Sequence, residues 1–232
     1  LHYPLRRQRQ MCIRDRKVMT RTTAFGVYDN TVVGALERVT DHLSSPNEKL
    51  PRQRFWTIRA RHIILASGAL ERHVAFNNND IPGIMTVNAS KHYLHRYGVL
   101  TGKKIVIATN NDSVYETAKQ LYEAGSKVTI IDSRKKINIE LPKGIQHYLN
   151  TVPFNINGKK NIESLDVCQT NDSTKKNTII CDQVLISGGW SPIVNLVSHR
   201  GIKLIWNEDN LCFIPGEILS LIHISEPTRR RG

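Results

Sequence analysis

The sequence predicts an α/β protein of the doubly wound kind, and three stretches carry that prediction. The apolar run Ile63, Ile64, Leu65, Ala66 ends abruptly in Ser67-Gly68-Ala69. A parallel strand leaving its sheet beside a bound nucleotide ends in small residues, because a larger side chain would block the ligand. About forty residues on, KKIVIATNNDSVYETAKQLYEAGSKVTIIDSR reads as strand, helix and strand in succession, a complete β-α-β unit. Beyond it, DQVLISGGWSP repeats the first pattern of apolar strand, glycines and proline-marked loop. Two such bends bracketing a β-α-β insert predict a two-dinucleotide-binding, Rossmann-like fold of the FAD/NAD(P)-binding class, truncated at both ends.

The elements follow in order. Residues 18–29, VMTRTTAFGVYD, are β-branched and aromatic with partial alternation, which predicts a strand and then a turn around Gly26. Val33, Ala35, Leu36 and Val39 continue the alternation through 31–42 as the second strand of a meander. The proline-bearing SSPNEKLPRQ is a polar loop, and Phe55–Ala60 is another short strand before 61–66. Residues 86–98 read as a helix, with Asn88 or Ser90 as its cap and Gly98 as its left-handed end. Ile105–Ala108 and Val128–Ile131 are strands flanking a helix over Ser113–Ala124, stopped by Gly125. The Lys/Asn-rich segment from about 135 to 180 admits strands at 162–169 and 177–180.

As domains, 17–100 is expected to form the C-terminal half of a first dinucleotide-binding domain. Residues 101–181 form an inserted second Rossmann-like domain, and 182–218 return to the first. The ends are set apart. The formal charge is +13, but residues 1–16 hold five Arg against one Asp, and 219–232 hold three Arg against one Glu. Both ends lack helical or strand periodicity, and RQRQMCIRDR and LSLIHISEPTRRRG look like conceptual translations of sequencing-adaptor DNA. Residues 1–16 and 219–232 are therefore expected to be artefactual or disordered. A basic module that binds nucleic acid is the reading of another class, and it rests on net charge alone. No apolar run approaches the roughly 18 residues of a membrane span. No secretory layout is visible, and a cytoplasmic location with no membrane partner follows.

Four cysteines, Cys12, Cys168, Cys181 and Cys212, include no CxxC pair, so neither a disulfide framework, a zinc site nor a redox dithiol is expected. His92 and His95 stand three apart on the expected helix with no third ligand in view; a solvated helix face is the plainer reading. Glu71-Arg72 reads as a local ion pair or loop cap. Asn77-Asn78-Asn79-Asp80 reads as a surface loop or as a loop closing over a cofactor. No Ser-His-Asp grouping, HExxH or Walker-type GK[ST] occurs, so no hydrolytic or phosphoryl-transfer apparatus is in view.

The second β-α-β unit has the spacing of a dinucleotide fingerprint but not its glycines. Ala108, Asn110 and Ser113 occupy the three positions, where glycine serves the tight turn and the approach to pyrophosphate. Asp132 ends the next strand, where a ribose-binding carboxylate belongs. Two readings stay open: a working nucleotide site, or a unit that keeps the fold and has lost or altered its ligand.

RTTAFGVYDN, LPRQRFWTIRARHIILASGALER, FNNNDIPGIM, YLHRYGVLTGKKIVIATNNDSVYETA and LISGGWSPIVNL resemble the α subunits of heterotetrameric sarcosine oxidases, from about Val18 to Pro215 or Gly216. Opine oxidase and cyanide synthase subunits share the architecture. The resemblance implies oxidative demethylation of a small-molecule substrate, sarcosine, to glycine, a formaldehyde equivalent and hydrogen peroxide. It implies bound NAD in this subunit, FAD in a β subunit, FMN at their interface, further γ- and δ-like subunits, and a C-terminal folate-binding domain. It places Thr23 and Ala24 at the adenine side of the cofactor, and Ser67, Gly68 and Ala69 at the turn that passes the nucleotide. It assigns no catalytic residue here, since amine oxidation belongs to the partner's flavin, and it implies that the isolated chain is inactive. The glycine-rich first fingerprint and the folate domain are the family parts this sequence lacks.

Overall fold

A computed structural model describes residues 17–199 and 201–216, together with the backbone of Ile222–Ile224. The expectation for residues 1–16 lies outside these, as does that for most of 219–232. In chain order the strands and helices are β1 (Thr22–Tyr28), β2 (Val32–Arg38), β3 (Gln53–Arg59), β4 (Ile63–Leu65), β5 (Ala69–Glu71), β6 (Ile84–Thr86) and α1 (Val87–Tyr97). Next come β7 (Lys104–Thr109), α2 (Tyr115–Glu123), β8 (Lys127–Asp132), β9 (Gln146–Leu149), β10 (Thr151–Gly158), β11 (Ile162–Gln169) and β12 (Asp172–Ile180). The last are β13 (Gln183–Ser187), β14 (Trp190–Pro192), α3 (Asn195–Ser198), β15 (Leu204–Asn207), β16 (Cys212–Pro215) and β17 (Ile222–Ile224). They divide into two compact units, one of which is Gly68–Ile193 with Trp206–Phe213.

In the first unit, β1, β2 and β3 form an antiparallel meander in which Thr23 faces Leu36 and Ala24 faces Ala35. The turn expected at Gly26 is not there. Gly26 lies inside β1 just past a register shift, where a Cβ would come within 2.6 Å of the Tyr28 hydroxyl. The chain reverses instead at Asp29–Thr31, where Asn30 takes a left-handed φ of 56°. Val27, Ile63, Leu65, Val197 and Ile202 form this unit's core. Ile222–Ile224 pair in parallel with β4, so these three residues of an end read as lacking strand periodicity do form a strand.

The second unit holds a parallel sheet in the order β6-β13-β7-β8-β9. Alternation sends Ile105, Ile107, Val128, Ile130 and Leu185 to one face, against Val114, Tyr115, Ala118 and Leu121 of the following helical segment. Val106, Ala108, Ile131, Val184 and Ile186 go to the other face, against Ile156, Ile162, Leu165 and Val167 of the antiparallel sheet β10-β11-β12. Each fully buried aliphatic side chain contributes about 1.5–3 kcal/mol.

This arrangement corrects one expectation. The run Gln183–Ser187 does not return to the first domain's sheet but lies between β6 and β7, at the heart of the second unit. Val184, Leu185 and Ile186 are each fully buried, which requires packed layers on both sides of the strand. After it, β14 pairs antiparallel with β5 in a two-stranded ribbon of the same unit. The polar β10, TVPFNING, escaped the sequence reading because asparagine and proline are poor strand formers, and the four-residue β9, QHYL, escaped it as well.

Helix α1 is capped by Thr86, not by Asn88 or Ser90; its hydroxyl accepts from the Ala89 N–H. Ser90 is buried and shares a 2.8 Å hydrogen bond with Thr101. Gly98 closes the helix in the left-handed conformation, as its sequence position suggested. Asn77 and Asn78 both donate to the Asn155 side chain, at 2.6 and 3.1 Å, which ties the asparagine loop to β10. No helix of the described residues is long and apolar enough to cross a membrane.

Candidate nucleotide-binding site

Two places carry nucleotide-fold geometry: the glycine bends around the ribbon, and the C-terminal end of the parallel sheet. The first bend follows β4. Ser67 is exposed, and Gly68 adopts a left-handed φ of 79°, which explains a glycine at this corner. A Cβ on Gly68 would meet nothing within 4 Å. Its carbonyl accepts the Ile193 N–H at 3.0 Å, and Ala69 opens β5 opposite Pro192. Thr23 and Ala24 are exposed on β1, an edge strand of the first unit's meander. Ser67 shares that unit, whereas Gly68 and Ala69 begin the other.

The second bend, Gly188-Gly189, differs in kind. A Cβ on Gly188 would press to 2.9 Å from Val74 Cγ2, and one on Gly189 to 2.5 Å from the Arg72 guanidinium. These glycines make room for the chain's own segment at Arg72–Val74, just past β5. Arg72 exchanges backbone hydrogen bonds with Gly188 and Gly189 and directs its guanidinium onto the carbonyls of Leu211 and Asn210. Of the two roles expected for Glu71-Arg72, a local ion pair or a loop cap, the ion pair does not form. Glu71 instead accepts the Asn88 N–H at 2.7 Å, at the start of α1, where a carboxylate is favoured by the helix dipole.

At the end of the parallel sheet, the degenerate fingerprint is tightly hydrogen-bonded to itself. Asn111 caps the 3-10 turn Asp112–Val114 by accepting from the Ser113 N–H at 3.1 Å. Its amide donates to the Ser187 carbonyl and hydroxyl at 3.2 and 3.1 Å. Asp132 is completely buried. It accepts from the Arg134 backbone N–H at 2.8 Å, from the Arg134 guanidinium at 2.8 Å, and from the Tyr115 hydroxyl at 2.7 Å. The same guanidinium reaches Asp112 at 2.6 Å.

The electrostatics follow from that cluster. Burial, then the Asp132 carboxylate, pushes the Tyr115 hydroxyl well above the ordinary tyrosine range. The hydrogen bond to Asp132 holds Arg134 still more firmly protonated. His147 lies 3.1 Å from the Tyr115 hydroxyl, and desolvation depresses its pKa. Arg134, Tyr115, Asn111 and His147 escaped the sequence reading. An arginine two residues past a strand-ending aspartate was the one visible signal. Among the described residues no group of three His, Cys, Asp or Glu side chains could hold a metal, and His95 instead meets Gln120 at 2.8 Å.

No protein-family model matches the chain. The sarcosine oxidase alpha subunit of Rhizobium meliloti is 38% identical over 207 residues, covering 88% of this chain and 21% of that protein. The Corynebacterium sp. (strain U-96) counterpart is 35% identical over 217 residues, covering 89% and 22%. An opine oxidase subunit of Rhizobium meliloti is 26% identical over 180 residues, covering 68% and 34%. Among solved structures, the L-proline dehydrogenase of P. horikoshii superposes with a TM-score of 0.58 at 19% identity, covering 88% of this chain and 35% of that one. Lactococcus lactis thioredoxin reductase superposes at 0.57 and 17% identity, covering 88% and 63%. These neighbours establish the FAD/NAD(P)-binding oxidoreductase fold. By sequence, the chain is a homologue of the sarcosine oxidase alpha subunits, over a stretch equal to about a fifth of their length.

Proposed function

We propose that the chain is the NAD-binding region of a sarcosine oxidase-like oxidoreductase, with the cofactor on the first nucleotide fold. The observation that carries this reading is 38% identity to a sarcosine oxidase alpha subunit over 88% of the chain. The contrast between the two bends supports the placement of the cofactor. Gly68 leaves its surroundings open, whereas Gly188 and Gly189 are filled from within. Thr23, Ala24 and Ser67 of the first unit, followed by Gly68 and Ala69, are the residues proposed to hold it.

The reaction proposed for the complete protein converts sarcosine, water and oxygen to glycine, formaldehyde and hydrogen peroxide. Flavin supplies the hydride acceptor, as FAD and FMN held with β-, γ- and δ-like subunits. This chain contributes scaffold and cofactor-binding surface and is inactive alone, in a cytoplasmic complex without nucleic-acid or membrane partners. An opine oxidase component is the second reading, favoured by the likeness to the Rhizobium meliloti opine oxidase.

The complete complex should release hydrogen peroxide with sarcosine and not with octopine; the reverse preference favours the second reading. Gly68→Asn keeps a residue tolerant of left-handed backbone but adds a side chain at the bend. It should lower the NAD recovered from the purified protein while leaving the melting temperature nearly unchanged. Full NAD retention in that variant would remove Gly68 from the site.

A further inference from the structure

A dinucleotide seated where a parallel strand meets a helix makes two demands on the protein. Pyrophosphate needs backbone N–H donors at the helix start, and ribose hydroxyls need a carboxylate at the end of the next strand. In the second unit the Ser113 N–H and the Asp132 carboxylate are already taken. The Ser113 N–H donates to Asn111, and the Ser113 hydroxyl does the same at 2.6 Å while accepting from Trp190 Nε1 at 2.9 Å. The Asn110 amide reaches the Gly188 carbonyl at 3.4 Å, which crosses the gap between the ends of β7 and β13.

The carboxylate is equally occupied. Asp132 has no solvent exposure, and each of its oxygens accepts from Arg134. Tyr115 adds a further donor to one of them. The other end of the guanidinium holds Asp112, a carboxylate in the short turn that precedes α2. A phosphate approaching there would meet negative charge where the fold ordinarily offers positive potential.

We infer that this junction is sealed by its own side chains, with Arg134 in the place of a ribose and Asn111 in the place of a phosphate. The second Rossmann-like fold therefore seats no dinucleotide. Its switch point serves as an internal cross-link that fastens β7, β8 and β13 at their C-terminal ends. The inference concerns only the second unit and stands apart from the assignment of NAD to the first.

Hydrogen–deuterium exchange on the full chain, with and without saturating NADH and then NADPH, tests it. Peptides spanning residues 105–116 and 128–136 should exchange identically in all three conditions. Arg134→Ala should lower the melting temperature by about 5 °C or more, because it strands a buried carboxylate. Neither Arg134→Ala nor Asp132→Asn should alter whatever NADH affinity the chain has. Nucleotide-dependent protection of either peptide, or weaker NADH binding in Asp132→Asn, overturns the inference. If the chain binds no nucleotide anywhere, the sealed junction is upheld, and it is the NAD assignment above that fails.

Discussion

At the scale of single residues, the glycines divide by what their missing side chains would meet. Gly189 combines a left-handed φ of 97° with an Arg72 guanidinium 2.5 Å from the would-be Cβ. Gly189→Ala should cost about 1–3 kcal/mol of unfolding free energy from backbone strain alone, read by chemical denaturation. The Gly68→Asn variant should lose far less. The buried cluster yields a prediction about acid. Desolvation holds the His147 pKa below its ordinary 6.5, so the unfolded chain takes up the proton first. The His147 contribution to stability is complete above about pH 6.5 and is lost as pH falls through the depressed folded value. Melting temperature should therefore fall on acidification across that window. His147→Gln should flatten that part of the profile.

At the scale of elements, much of the β-α-β unit was legible. Ile105–Ala108 and Val128–Ile131 are runs rich in β-branched residues that a strand buried on both faces explains, and the structure extends each by one residue at either end. The helices were legible from Gly98 and Gly125. Their starts were less so, because several residues near each start could cap it. Thr86→Ala should destabilise the protein by about 1 kcal/mol, whereas Asn88→Ala should change little, as equilibrium unfolding would report. The place of Gln183–Ser187 was not legible. A buried apolar strand looks the same whichever sheet receives it, and only the partners β6 and β7 decide. The asparagine loop was ambiguous for a similar reason, since its partner Asn155 lies on a strand that local propensity conceals.

At the scale of the molecule, the charge excess invites a test. Over residues 17–218 the chain carries 25 basic against 18 acidic side chains, and the rest of the +13 excess lies in the two ends. Any retention on immobilised DNA should be salt-sensitive and should vanish when residues 1–16 and 219–232 are removed. Strong retention by the shortened chain would revive the nucleic-acid reading. The candidate site was legible only as a pair of glycine bends. That one bend is open and the other filled by Arg72 and Val74 depends on residues more than a hundred positions away in sequence.

The hydrogen bond from the Ile193 N–H to the Gly68 carbonyl brings the first and last residues of a 126-residue stretch to within 3.0 Å of each other. A module whose ends meet in this way is suited to excision and to circular permutation. Joining 193 back to 68 through a short glycine linker and opening new termini in the exposed turn at Asn171 should yield a soluble, cooperatively melting protein. Failure of that permutant to fold would mean that the module depends on the surrounding chain for more than its tether.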